Sequence, residues 1–347
     1  MDTLTHAVTG ALLVRATSGK QKSGQPAVRC RMLAGAAAAV FPDVDFALRL
    51  VDTLTYLNWH QGPTHSLLLP LWGLLLAWLC ARAGRGRYRW QAFYIPVCLG
   101  LAIHIAGDAL TAYGPMLLSP FSGQRYFVPW LYLFDPVFSV IAVTGLFSIL
   151  LLPHGRAAAV ITLALLIVYV GWQMALHRQA LAIGASHVKT RALVDAEVHA
   201  LPQPPGPFHW KVLVSGPDGY DEAWVDLYPG RRATPDSEAG LLRRMSAAHD
   251  PVSEISWRHH WQFGSSALDT ALARAAWQDD ALAPFRRFAL FPVLDHIERK
   301  GNGVCVWFVD LRFTLPVFPP SYRFGACRNN AADDWRLERL RGAFWID

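Results

Sequence analysis

The sequence predicts an α-helical polytopic membrane domain followed by a small soluble α+β domain, and three observations carry that expectation. The 347 residues are 53% hydrophobic with a mean hydropathy of +0.22, too apolar for an average soluble protein and too charged for one embedded throughout. Charge then divides the chain: residues 1–177 hold 12 Lys and Arg, 6 Asp and no Glu, whereas 178–347 hold 20 basic and 20 acidic residues. Long apolar runs occur only in the first part. The expected organisation is a membrane domain at 1–177, a helix extension with a Pro-rich linker at 178–207, and a soluble domain at 208–347.

Runs 64–81, 91–113, 130–152 and 157–176 each approach the ~20 residues a helix needs to cross a bilayer. Runs 2–14 and 32–48 are Ala-rich and shorter, each a short span, a re-entrant helix or a helix buried among the others, which makes four to six helices. Asp2 and His6 stand where a signal peptide needs basic residues, so no cleavable leader is expected. Of five cysteines, Cys30, Cys80 and Cys98 belong to the membrane part, while Cys305 and Cys327 could pair in an oxidising compartment. No CxxC spacing exists, which argues against a thiolate zinc site.

Basic residues cluster in two acid-free connections, one with Arg15, Lys20, Lys22, Arg29 and Arg31, the other with Arg82, Arg85, Arg87 and Arg89. The positive-inside rule makes both cytoplasmic. If every run crosses, the N-terminal tip, 43–65, 113–130 and everything after 177 lie outside, and the soluble domain is periplasmic in a bacterial inner membrane. No nucleic-acid partner is expected, and the oligomeric state is left open.

That orientation uses only Lys and Arg, yet it gathers His6, Asp43, Asp45, His60, His65, His104 and Asp108 on one side. His104 and Asp108 are spaced i, i+4 in GLAIHIAGDALTAYG and share a helical face, fit either to ligate an ion or to brace two helices. PDVD at 42–45 ends a run with two carboxylates, and Pro42 argues that the backbone leaves the helix there. The bland alternative for such a pair is a solvated helix end. HQGPTHS at 60–66 supplies two imidazoles around a Gly-Pro turn, with Thr64 and Ser66 available as helix caps. His6 in THAVTG is weak alone. Together these groups weigh more than any one of them, because four scattered His or Asp groups on one face are hard to explain as separate accidents of packing. Arg125, near Ser122 and Gly123, is a candidate for an anionic group, against the default of a surface arginine.

In the second part, KVLVSGPDGYDEAWVDLY and DHIERKGNGVCVWFVDLRF each read as two strands joined by a Gly-containing turn. Segments 236–249 and 266–283 are helix-like, and LPQPPGP at 201–207 reads as the linker. His259 and His260 alternate across a strand and so cannot share a metal.

THAVTG, FPDVDF, HQGPTHS and GLAIHIAGDALTAYGPMLLSPFSGQRYFVP, in that order over roughly residues 1–130, resemble the LexA-regulated membrane-bound metal-dependent hydrolases of the bacterial inner membrane. The resemblance implies that His6, Asp43, Asp45, His60, His65, His104 and Asp108 are the metal-site residues, with Thr111 and Arg125 nearby. It departs at Gln61, where the family usually has Arg. The spaced His and Asp pattern is also distantly similar to zinc-dependent phospholipase C and P1-type nuclease, which implies phosphoester cleavage.

Seven oxygen and nitrogen donors exceed what one four-coordinate zinc needs, so two or more divalent ions, zinc first and manganese or magnesium as alternatives, are expected. Water activated there would attack a phosphoester of a membrane lipid or lipid-linked substrate, with Asp45 or Asp43 accepting the proton and Arg125 clamping a phosphate oxygen. The alternatives are an amide or peptide hydrolase, and a metal-binding transport or sensor protein without catalysis. In a further alternative the chain is an anchor whose business lies in its C-terminal half.

Overall fold

A computed structural model describes residues 1–19, 23–228, 230 and 240–340. It divides into two compact units, Met1–Ala175 and Leu176–Asp347.

The first unit is helical. It comprises α1 (Thr3–Thr17), α2 (Val28–Val40), the short α3 (Thr53–Trp59), α4 (Leu69–Ala83), α5 (Gln91–Ala109), α6 (Pro136–Leu151) and the beginning of α7 (Gly155–Arg191). Each apolar run of the sequence is helical over most of its length. Asp2 caps α1 by accepting from the Thr5 amide, and Asp135 caps α6 through the Phe138 amide while accepting the Tyr169 hydroxyl at 2.8 Å. Small residues let α1, α2 and α5 approach closely. A Cβ on Gly10 would lie 2.6 Å from the Ala39 Cβ, and one on Gly100 would strike the Gly35 carbonyl oxygen.

The outward flanks are apolar: Leu75 and Trp78 of α4, Phe147 of α6 and Ile167 of α7 are all exposed. Helices that are apolar all round suit lipid rather than water. By length and composition, Gln91–Ala109 and Gly155–Arg191 qualify as spans among the described residues. Thr53–His65 with Leu69–Ala83, bent by 79°, adds a third if it counts as one broken span, and Pro136–Leu151 is a shorter apolar helix. The helix count is roughly the four to six expected, and two or three of these helices qualify as spans by length and composition, because the bend divides one run and α1, α2 and α6 are short.

The α-helix ends at Val40, just before Pro42, as expected, but the backbone does not become extended there. The chain tightens after α2 into 3-10 turns over Phe41–Leu50, since proline at the first turn needs no amide partner. A further 3-10 turn, Pro63–His65, precedes α4.

In the second unit the end of α7 packs Leu176 and Ala180 against a sheet core of Ala200, Trp210, Val212 and Val225. That sheet contains β1 (Val198–Pro202), β2 (His209–Ser215), β3 (Gly219–Asp226), β4 (Asp250–Pro251) and β5 (Arg258–Trp261), in the order β1-β2-β3-β4 with β5 also on β3. The second sheet runs β6 (Pro292–Lys300), β7 (Gly303–Asp310), β8 (Arg323–Arg328) and β9 (Arg336–Leu340), all antiparallel. Among the described residues the unit also holds the helices α8 (Leu241–Ala247), α9 (Ala267–Gln278) and α10 (Ala283–Phe288). Both anticipated hairpins are present as β2–β3 and β6–β7.

LPQPPGP is not an interdomain tether. Leu201 and Pro202 finish β1, and the prolines that follow make the turn into β2, where an amide-free residue interrupts no ladder. Of the helix-like segment 236–249, residues 236–239 lie outside the described residues. Cys305 and Cys327 face each other across β7 and β8 and form a disulfide.

Candidate metal centre

Four side chains from three different segments converge: Asp43 from the 3-10 turns after α2, His65 from the turn before α4, and His104 and Asp108 from α5. One donor atom from each lies within 4.8 Å of all the others. The i, i+4 spacing places His104 and Asp108 on the inward face of α5, with His104 Nε2 3.2 Å from Asp108 Oδ2. His65 Nε2 is 2.9 Å from His104 Nε2 and 3.3 Å from Asp108 Oδ2. Asp43 Oδ1 stands 3.8 Å from His104 Nε2 and 4.0 Å from His65 Nε2.

The surrounding bonds determine which ring nitrogens carry protons. His104 Nδ1 lies 2.6 Å from the Ala39 carbonyl oxygen, which only accepts, so Nδ1 carries the hydrogen and Nε2 presents a lone pair. His65 Nδ1 faces Thr64 Oγ1 at 3.0 Å and Asp45 Oδ2 at 3.5 Å, which assigns its hydrogen in the same way. Two imidazole Nε2 atoms and two carboxylates therefore face one another in a buried space. Such a set is costly to bury unless positive charge accompanies it, and the Met1 ammonium at Asp108 Oδ1 supplies part of that charge. Asp108 Oδ2, fully buried, has no hydrogen-bond partner. The residues fit a divalent cation, and mixed imidazole and carboxylate donors suit zinc or manganese.

The other three expected donors form the surroundings. Asp45 binds His60 Nδ1 through Oδ1 at 2.7 Å, and its Oδ2 accepts from the Gln61 amide at 2.9 Å and the Thr64 hydroxyl at 3.2 Å. It orients His65 from behind, as carboxylates behind metal-binding histidines do. His60 sits against Asp45 with Tyr56 stacked on its ring at 4.6 Å, and it does not join the four converging donors. His6 stacks on His104 at 3.8 Å and meets Asp108 Oδ1 through Nε2 at 3.1 Å. The Met1 amine donates to the same oxygen.

Arg125 is not directed at the donor group. Its guanidinium donates to the carbonyls of Leu57, Asn58, His60 and Gly114 and lies over the Tyr113 ring, so it fixes the loop that carries His60. Thr111 donates to the Asp108 carbonyl at 2.9 Å. Thr64 is no helix cap, because its hydroxyl serves Asp45 and His65.

Sequence reasoning missed Thr3, whose hydroxyl donates to Asp43 Oδ2 at 3.1 Å, and the Ala39 carbonyl. It also missed Gly107, where a Cβ would lie 3.2 Å from His6 Cε1. Of these only Thr3, in THAVTG's flank, carries a polar side chain that a sequence reading could have singled out.

Fold and site together define a helical membrane protein with a buried His and Asp group fit for a metal ion. The chain belongs to the YdjM inner membrane protein family, which matches residues 1–180 and thus the whole helical unit. It is also 26% identical over 318 residues to the Bacillus subtilis (strain 168) protein described as uncharacterized protein YfhP, covering 90% of this chain and 87% of that one. No solved structure matches.

Proposed function

We propose that the protein is a membrane-bound, metal-dependent hydrolase that cleaves a phosphoester of a lipid at the outer face of the inner membrane. The observation that carries this reading is the convergence of two imidazole Nε2 atoms and two carboxylates around one buried point. A divalent cation held there would lower the pKa of water to near neutrality and polarise the ester. Asp43, His65, His104 and Asp108 would hold it, and one such group supports one ion more directly than two.

The chain's own groups do the rest. Asp45 fixes the His65 tautomer, and the Ala39 carbonyl fixes that of His104. Asp43 would hold the cation through Oδ1, 3.8 and 4.0 Å from the two imidazole nitrogens, and its second oxygen, Oδ2, oriented by the Thr3 hydroxyl at 3.1 Å, would take the proton of attacking water. With both oxygens bonded, Asp45 acts as a positioning residue, and so does Arg125. The disulfide supports placing the second unit in an oxidising compartment, and the basic 82–89 connection supports an inner location for that turn.

The test is phosphate or head-group release from phospholipid by the purified chain in nanodiscs. Turnover should vanish with a chelator, return with zinc or manganese, and be absent in Asp43→Asn. Hydrolysis that survives either treatment would remove the metal from the reaction.

A further inference from the structure

The metal centre shares a wall with a cavity of about 410 Å³, within the ~300–1,000 Å³ typical of ligand sites. Ala34, Ala37 and Ala38 of α2 line it on one side, Leu76 and Cys80 of α4 and Val97 of α5 on others. Among its lining residues Asp43 is the one charged group, and Thr3, which donates to that carboxylate, is the other polar contributor beside Cys80. The lining positions from Ala34 to Asp43 follow α2 and the turn after it, a rise of about 14 Å at 1.5 Å per residue. Ala37, Val44 and Phe46 of the lining are exposed, so the cavity opens sideways to whatever surrounds the helices.

We propose that this cavity seats one fatty-acyl chain of a bilayer phospholipid, which holds the head group at Asp43 beside His65 and His104. Three features select that occupant. The walls are apolar along their length, which excludes a charged or sugar ligand there. Apart from the Cys80 thiol, polarity is confined to Thr3 and Asp43, where the head group's ester would need to be. The lateral opening faces the apolar medium that the exposed flanks of α4, α6 and α7 require, and phospholipid is that medium's main component. Substituents at Ala37 would reach the cavity without disturbing the helix crossing, since Ala37 is exposed while Ala34 and Ala38 are buried. The substrate role given to this lipid rests on the hydrolase reading above; the binding itself does not.

The experiment uses the full chain in nanodiscs doped with a phospholipid bearing a photoreactive diazirine at the end of one acyl chain. Cross-linked positions are mapped by mass spectrometry in wild type, Ala37→Phe and Cys80→Phe, and metal content is measured as a check that the centre is intact. Cross-links should concentrate in residues 34–46 and 76–80 and fall about tenfold in both variants, the effect of displacing about two buried methylenes. In the same samples, turnover of long-chain phospholipid should fall in the variants while that of a short-chain, water-soluble phosphoester holds. Cross-links spread evenly over the lipid-facing flanks of α4, α6 and α7, and unchanged in the variants, would overturn the proposal whatever the turnover. Cross-links confined to the cavity, with no hydrolysis of either substrate by wild type, would keep the acyl site and remove the phosphoester reading.

Discussion

His65 and His104 approach through their Nε2 atoms, 2.9 Å apart, with two carboxylates beside them, so four groups able to ligate face one buried point. At the scale of single residues this convergence is the strongest sign of a cation site. Replacing Asp45 by Asn leaves the four converging donors intact but weakens the carboxylate behind His65, and metal affinity should fall roughly 10–100-fold. Competition against a fluorescent chelator measures it; unchanged affinity would mean that Asp45 only holds His60. The donors were legible in the sequence because His and Asp are costly in apolar runs unless they have partners. The Ala39 carbonyl and Gly107 were not, since a main-chain oxygen has no sequence signature and a glycine's reason appears only when the ring of His6 lies against it.

Between elements, the centre depends on how closely α2 and α5 cross, because Asp43 follows one and His104 and Asp108 ride on the other. Gly100→Val would drive a side chain into the Gly35 carbonyl, and should both lower thermal stability in detergent and reduce metal content. Full metal occupancy in that variant would show that the crossing does not set the site. The second unit holds a different buried pair: Lys211 Nζ lies 3.5 Å from Glu222 Oε1 and donates to the Leu311 carbonyl at 2.6 Å, while His260 meets Glu222 Oε2 at 2.8 Å. Burial pushes the Lys211 ammonium down to about 8 despite Glu222 beside it. Burial works against the Glu222 charge too, but Lys211 and His260 outweigh it and hold the carboxyl at about 2. A depressed carboxyl stabilises the fold fully above its ordinary value of 4.5, and that contribution is lost as pH falls toward about 2. Glu222→Gln leaves a buried ammonium without its counter-charge and should cost about 3–5 kcal/mol at neutral pH, read as faster amide exchange in β2 and β3 of the full chain. Unaltered exchange would mean that the carbonyls alone satisfy Lys211. The strands carrying this pair were legible from alternation and turn glycines; the role of LPQPPGP was not, because prolines mark a tether and a hairpin turn equally well.

For the whole molecule, the division into a helical unit and an α+β unit was visible in charge alone, since acids and bases balance after residue 177 and do not before it. How many helices cross was less so, because a bent pair and short helices blur the length rule. The proposed orientation places Ser23, in the first basic connection, inside, and Asn330, in the turn after β8, outside. With the three free cysteines replaced, an impermeant thiol reagent on intact cells should label Asn330→Cys and spare Ser23→Cys; the opposite pattern would invert the topology. Beneath orientation, lipid site and chemistry lies the claim that Asp43, His65, His104 and Asp108 hold a metal ion. Its most direct test is metal content by mass spectrometry of the purified chain, for wild type beside His104→Ala and Asp108→Ala. The account predicts about one zinc-like ion per wild-type chain and none in either variant; a metal-free wild type after reconstitution with zinc and manganese, or variants that keep the ion, would contradict it.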